Sequence, residues 1–146
     1  MFNLNPALAF KVIATIDPAA ITGAEVFTDP IDMTIWESVL AVMATGDIDG
    51  GSIDFKVYQC DVAGDNATAA IKAAAHLATD ATVNDIGQII MAFRASEMIA
   101  AGALTFCKFG LTIGANGGPA CVLVLGIEPR KFNDVAALAT VVEVKS

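Results

Sequence analysis

From Ser52 to Cys60 the chain alternates with a period of two: Ile53, Phe55, Val57 and Gln59 fall on one side, and Asp54, Lys56, Tyr58 and Cys60 on the other. A strand turns successive side chains to opposite faces, whereas a helix would scatter these residues around its circumference. The stretch therefore predicts a strand with one face on a core. Other short runs repeat the signal. Phe10 to Ile16 is β-branched and stops at Asp17-Pro18; Ala24 to Thr28 stops at Asp29-Pro30; Ile35 to Ala44 stops at Thr45-Gly46-Asp47. Gly87 to Ala95 puts Ile89, Met91 and Phe93 on one face. Ala103 to Ile113 sets Thr105, Cys107, Phe109, Leu111 and Ile113 opposite Leu104, Phe106, Lys108 and Thr112. Ala120 to Glu128 follows and is stopped by Pro129. The glycine-rich links at 46–51 and 114–119 read as hairpin loops, the second joining the clearest hairpin in the chain.

With a piece from Ala139 to Val144, this makes about seven or eight strands with turn signals every 8–15 residues. That spacing predicts a mainly β single domain, a β-sandwich or jelly-roll-like fold, rather than α/β. One or two short helices are expected. Ser96-Glu97-Met98-Ile99 reads as a single helical turn. Asn66 to Ala78 is rich in alanine, a strong helix former, but offers only Ile71 and Leu77 as large apolar residues. It reads as a short helix or an irregular strand. The sandwich is expected over 10–131, with an N-terminal arm over 1–9 and a C-terminal arm or added strand over 132–146.

Composition enters where the core must be sized. Of 146 residues, 55% are hydrophobic and only 16% charged, against about 25% charged in an ordinary domain. One small sandwich has too little interior for that much apolar side chain, so part of it is expected on contact surfaces. The apolar residues do not form a membrane span: the uncharged stretch from Phe109 to Ile127 is broken at 114–119, and a spanning helix needs about 20 apolar residues in a row. No basic segment with a long apolar run opens the chain, so no signal peptide is expected. The net charge of −8 repels phosphate backbones, which argues against nucleic acid as a partner, and helps keep an apolar chain in solution.

Chemistry-bearing residues are sparse. Cys60, Cys107 and Cys121 are odd in number and lack CxxC spacing, so they read as small hydrophobes rather than disulfides or a zinc site. His76 is the sole histidine, and no nucleophile motif surrounds it. The loop Gly114-Ala115-Asn116-Gly117-Gly118-Pro119 has no lysine, loses an amide donor at Pro119 and precedes a strand, so it is a turn rather than a phosphate cradle. Asp47, Asp49, Asp61 and Asp65 lie in turns without the spacing of a calcium loop. Trp36 opens an apolar run and reads as core rather than a sugar platform. No catalytic residue, cofactor or metal ligand is expected, and the chain reads as a non-enzyme.

Several stretches, taken in order, resemble small virion proteins of tailed bacteriophages. They are Ile21-Thr22-Gly23-Ala24-Glu25-Val26-Phe27, Trp36-Glu37-Ser38-Val39-Leu40 and Phe55-Lys56-Val57-Tyr58-Gln59-Cys60-Asp61, followed by Phe93-Arg94-Ala95-Ser96-Glu97-Met98 and Val122-Leu123-Val124-Leu125-Gly126-Ile127-Glu128-Pro129-Arg130. The resemblance is to proteins that decorate, or cement, the icosahedral head. It implies a structural protein with no catalytic residues, made in the bacterial cytoplasm and carried on the capsid surface. Its implied partner is the major capsid protein; the excess of apolar side chain, not the resemblance, adds the expectation of a homo-oligomer, dimer or trimer. The expected contact elements are the apolar termini: Phe2, Leu4 and Leu8 at one end, Phe132, Val135 and Leu138 at the other. The runner-up is a β-sandwich binding module of a tail or fibre that meets host glycan or calcium.

Overall fold

The computed structural model describes residues 10–48, 51–65, 70–78, 87–99, 104–114 and 117–129. Among the described residues nine strands form: β1 (Phe10–Ile21), β2 (Val26–Phe27), β3 (Ile31–Asp32), β4 (Trp36–Thr45), β5 (Gly51–Cys60), β6 (Lys72–Ala78), β7 (Gln88–Arg94), β8 (Phe106–Ile113) and β9 (Gly118–Pro129). They build two antiparallel sheets. One has the order β1-β9-β4-β7; the other runs β2-β8-β5-β6, with β3 also pairing β8. The sheets pack face to face as a β-sandwich, the expected class. Among the described residues there is no α-helix; the expected turn near Ser96 is a 3-10 turn over Ala95–Glu97, where the Glu97 carboxylate accepts from the Arg94 amide at 2.8 Å.

The core lies between the sheets. Its centre is a stacked pair, Phe55 of β5 and Phe109 of β8, with ring centroids 5.7 Å apart. Ile53, Val57, Leu111 and Ile113 flank them, and Val39, Met43, Phe93, Val122 and Val124 answer from the other sheet. Each such side chain, fully withdrawn from water, contributes roughly 1.5–3 kcal/mol. The inward set of β5 is the one its alternation predicted, down to Gln59. That buried amide is fully occupied: its Nε2 donates to the Ile99 and Leu104 carbonyls at 2.9 and 2.6 Å, and its Oε1 accepts from the Ile99 amide at 2.9 Å.

Three expectations change, and one open alternative is decided in favour of the strand. Asp17-Pro18 does not end β1; the strand continues to Ile21 through an irregular step in its register against β9 between Ile16 and Ala19, where the proline needs no ladder bond. The Ala-rich stretch is a strand from Lys72 to Ala78. Pairing with β5 over Gly51–Val57 satisfies its backbone, and this outweighs the helix preference of alanine. The links at 46–51 and 114–119 are not hairpin loops. β4 pairs β7 and β9 while β5 pairs β6 and β8, so both links carry the chain from one sheet to the other. A tight glycine turn reverses the chain equally well within a sheet or across the sandwich; which one forms depends on which edges the packed sheets offer. The Gly117 amide donates to the Gly114 carbonyl at 2.8 Å, and Gly117 takes a φ of 66° that favours glycine.

Candidate interaction surface

The two outward faces of the sandwich differ in chemistry. On the five-stranded sheet the outward positions of β5 and β8 carry Asp54, Lys56, Tyr58, Lys108 and Thr112, as period-two strands with one wet face should. A polar cluster covers its edge. The Tyr58 hydroxyl donates to the Glu25 carboxylate at 2.8 Å, and the Phe27 ring meets Tyr58 edge-on with centroids 5.7 Å apart. The Lys108 ammonium stands 4.1 Å from the Phe27 ring centre and donates to the Gly64 carbonyl at 2.5 Å. Burial first, then the hydrogen bond and charge of Glu25, push the Tyr58 phenol up to about 12.

The four-stranded sheet is apolar on both sides. Its inward rows are Ala14, Val124, Ala41 and Met91, then Ile16, Val122, Met43 and Ile89. Its outward rows are equally free of charge. Val12 pairs Leu125, which lies beside Leu40 and then Ala92. Thr15 pairs Leu123, beside Val42 and then Ile90. Ile90 is 65% exposed and Leu123 40%, with Leu40, Val42 and Leu125 half-buried. Polar residues stand at the margins: at the β1 edge Thr15, whose hydroxyl donates to the Asp17 carboxylate at 3.2 Å, Ser38 and Arg94 beyond one row, and Gln88 beyond the other. The result is an apolar centre with a polar rim, the anatomy of a contact surface.

The residues singled out in the sequence fall elsewhere. Phe2, Leu4, Leu8, Phe132, Val135 and Leu138 lie outside the described residues, as do both arms. The backbone of His76 sits in β6 opposite Ile53. Trp36 is 4% exposed and packs on Gly126, so it belongs to the core. Cys60 and Cys107 are buried, which pushes both thiols up, and all three cysteines are free. The Asp61 carboxylate caps its own turn, accepting from the amides of Ala63 and Asp65 at 3.0 and 2.9 Å. Among the described residues no three His, Cys, Asp or Glu side chains come together as a metal site, and no helix is long and apolar enough to cross a membrane. An open groove of about 450 Å³ separates β1 from β2, floored by Ile16, Ile21 and Val26 and rimmed by Asp17 and Asp29.

The outer sheet face escaped the sequence reading, although a signal for it exists. Val39 to Ala44 and Ala120 to Leu125 are continuous apolar runs, in contrast to the alternation of β5. A strand apolar at every position has no face prepared for water.

No family model matches the chain, and no curated protein matches it. Among solved structures it is similar to the VP2 subviral particle protein of infectious bursal disease virus. The identity is 11% over 81% of this chain and 32% of that one, with a TM-score of 0.43. It is also similar to a CBM4 protein, at 13% identity over 82% of this chain and 71% of that one, with a TM-score of 0.41. The chain thus spans about a third of the length of the viral protein. At TM-scores below 0.5 neither likeness carries a functional argument.

Proposed function

We propose that this chain is a non-enzymatic structural protein of a tailed-bacteriophage virion, which binds the major capsid protein and cements the head from outside. The observation that carries the reading is the uncharged centre of the outer face of the β1-β9-β4-β7 sheet, set against the charged outer face of the other sheet. A sandwich working alone in water has no use for two apolar sides on one sheet; a subunit of an assembly does. Many copies on a symmetric shell convert a modest contact into firm attachment through avidity. A clamp that binds only assembled capsomers stabilises the shell by mass action. In this reading the apolar termini, with Phe2, Leu4, Leu8, Phe132, Val135 and Leu138, reach the capsid or a neighbouring copy. The protein is made in the host cytoplasm and functions on the capsid surface.

The test is binding to shells of the major capsid protein encoded beside this chain's gene. Cosedimentation in fixed proportion to capsid subunits is the expected result, with shells that resist heat or denaturant better when decorated. A gene set among metabolic enzymes, or a chain left in the supernatant, would sink the reading.

A further inference from the structure

We infer that the outer face of the β1-β9-β4-β7 sheet is the seat of a second copy of this chain, the two sheets stacked face to face about a two-fold axis. The partner is identified by three features of the face. Its two central rows, from Val12 to Ala92 and from Thr15 to Ile90, hold no charged residue, so stacking them buries no carboxylate or ammonium without a partner. The chain carries −8 overall, so two copies approach most easily where charge is absent; the other sheet would have to bury Glu25, Asp54, Lys56 and Lys108. The size also suits a copy. Four strands about 4.8 Å apart, each contributing about ten residues of about 3.3 Å, give roughly 600 Å² in projection. Side-chain relief raises that towards the roughly 800 Å² each partner buries in a standard interface. A face made of strands is self-complementary in an isologous contact, where sheets pack about 10 Å apart with strands within about 30°. Arg94 and Gln88 then fall on the wet rim.

The inference deepens the structural-subunit reading and rests on it for the partner; the experiment keeps the two apart. The full chain is followed by light scattering and sedimentation over a range of concentrations, and separately by cosedimentation with capsid shells. A dimer is expected for the wild type. Ile90→Lys, at an exposed position of the edge strand β7, should weaken dimerisation at least about 100-fold by burying a charge, while the circular dichroism and unfolding midpoint stay near wild type. Leu123→Ser supplies a milder second variant on the central strand, and Thr112→Lys on the opposite sheet should leave the dimer intact. A wild type that stays monomeric overturns the inference; so does a dimer that both face variants leave unchanged. If the wild type is monomeric but cutting the chain after Pro129 makes it dimerise, its own C-terminal segment holds the face and the inference is equally overturned. A dimer that the face variants dissociate, in a chain that ignores capsid shells, upholds the inference and fails the capsid reading alone.

Discussion

Tyr58 is the only tyrosine in the chain, so its phenol titrates without interference. Burial and its bond to Glu25 hold the proton on to about pH 12, whereas the unfolded chain releases it near 10. The fold therefore binds more protons than the unfolded chain between those values. The associated stability is complete below about pH 10 and is lost as the pH rises through about 12. A tyrosinate absorbance titration should find the midpoint near 12, and Glu25→Gln should lower it while leaving it above 10, because burial is the larger cause. A wild-type midpoint near 10 would mean that the phenol is free. Gly126 makes a second prediction at this scale. A Cβ placed there meets the Trp36 indole carbons at 2.5–2.6 Å, and Trp36 is buried in the core at 4% exposure. Gly126→Ala should cost about 1–3 kcal/mol in denaturant unfolding, the ordinary cost of overpacking; unchanged stability would show that the indole moves freely. Residue types were the most legible level of the sequence: Trp36 as core and Gln59 on the inward face of β5 both follow from local pattern. The partners of Gln59, Ile99 and Leu104, lie some 40 residues away and no local pattern names them.

At the scale of elements, strands are legible and their ends and pairings are not. The inward sets of β5, β7 and β8 are those that alternation assigns. β1 outruns its Asp17-Pro18 stop because an irregular step absorbs the proline, and the two-residue pieces β2 and β3 exist only because β8 offers them a ladder. β6 is a strand for the same reason, its alanines being held by β5. One ion pair closes that side of the sandwich: Lys72 of β6 donates to the Ala92 carbonyl of β7 at 2.9 Å and meets the Glu97 carboxylate at 2.6 Å, which holds Glu97 below the usual carboxylate range. Every described strand ends by Pro129. Deleting 132–146 should therefore leave the two-sheet core folded, with its strand circular dichroism intact, and weaken attachment to capsid shells. A truncated chain that is unfolded would place the tail in the core and remove it from the contact elements.

Over the whole molecule, the sequence by itself determined that the fold is β, that it is a two-layer sandwich, and which side of β5, β7 and β8 faces inward. Those are consequences of side-chain period and turn chemistry, both of which act over a few residues. The tertiary structure alone decided the strand order, with β4 and β5, and again β8 and β9, parted between sheets. A turn specifies a reversal but not the strand that will lie alongside, because that choice is made by long-range ladders and the fit of two sheets. The structure alone also decided that the outward residues of four separated strands form one apolar face. Val12, Ile90 and Leu125 are remote in sequence, and only the ladders bring them into adjacent rows.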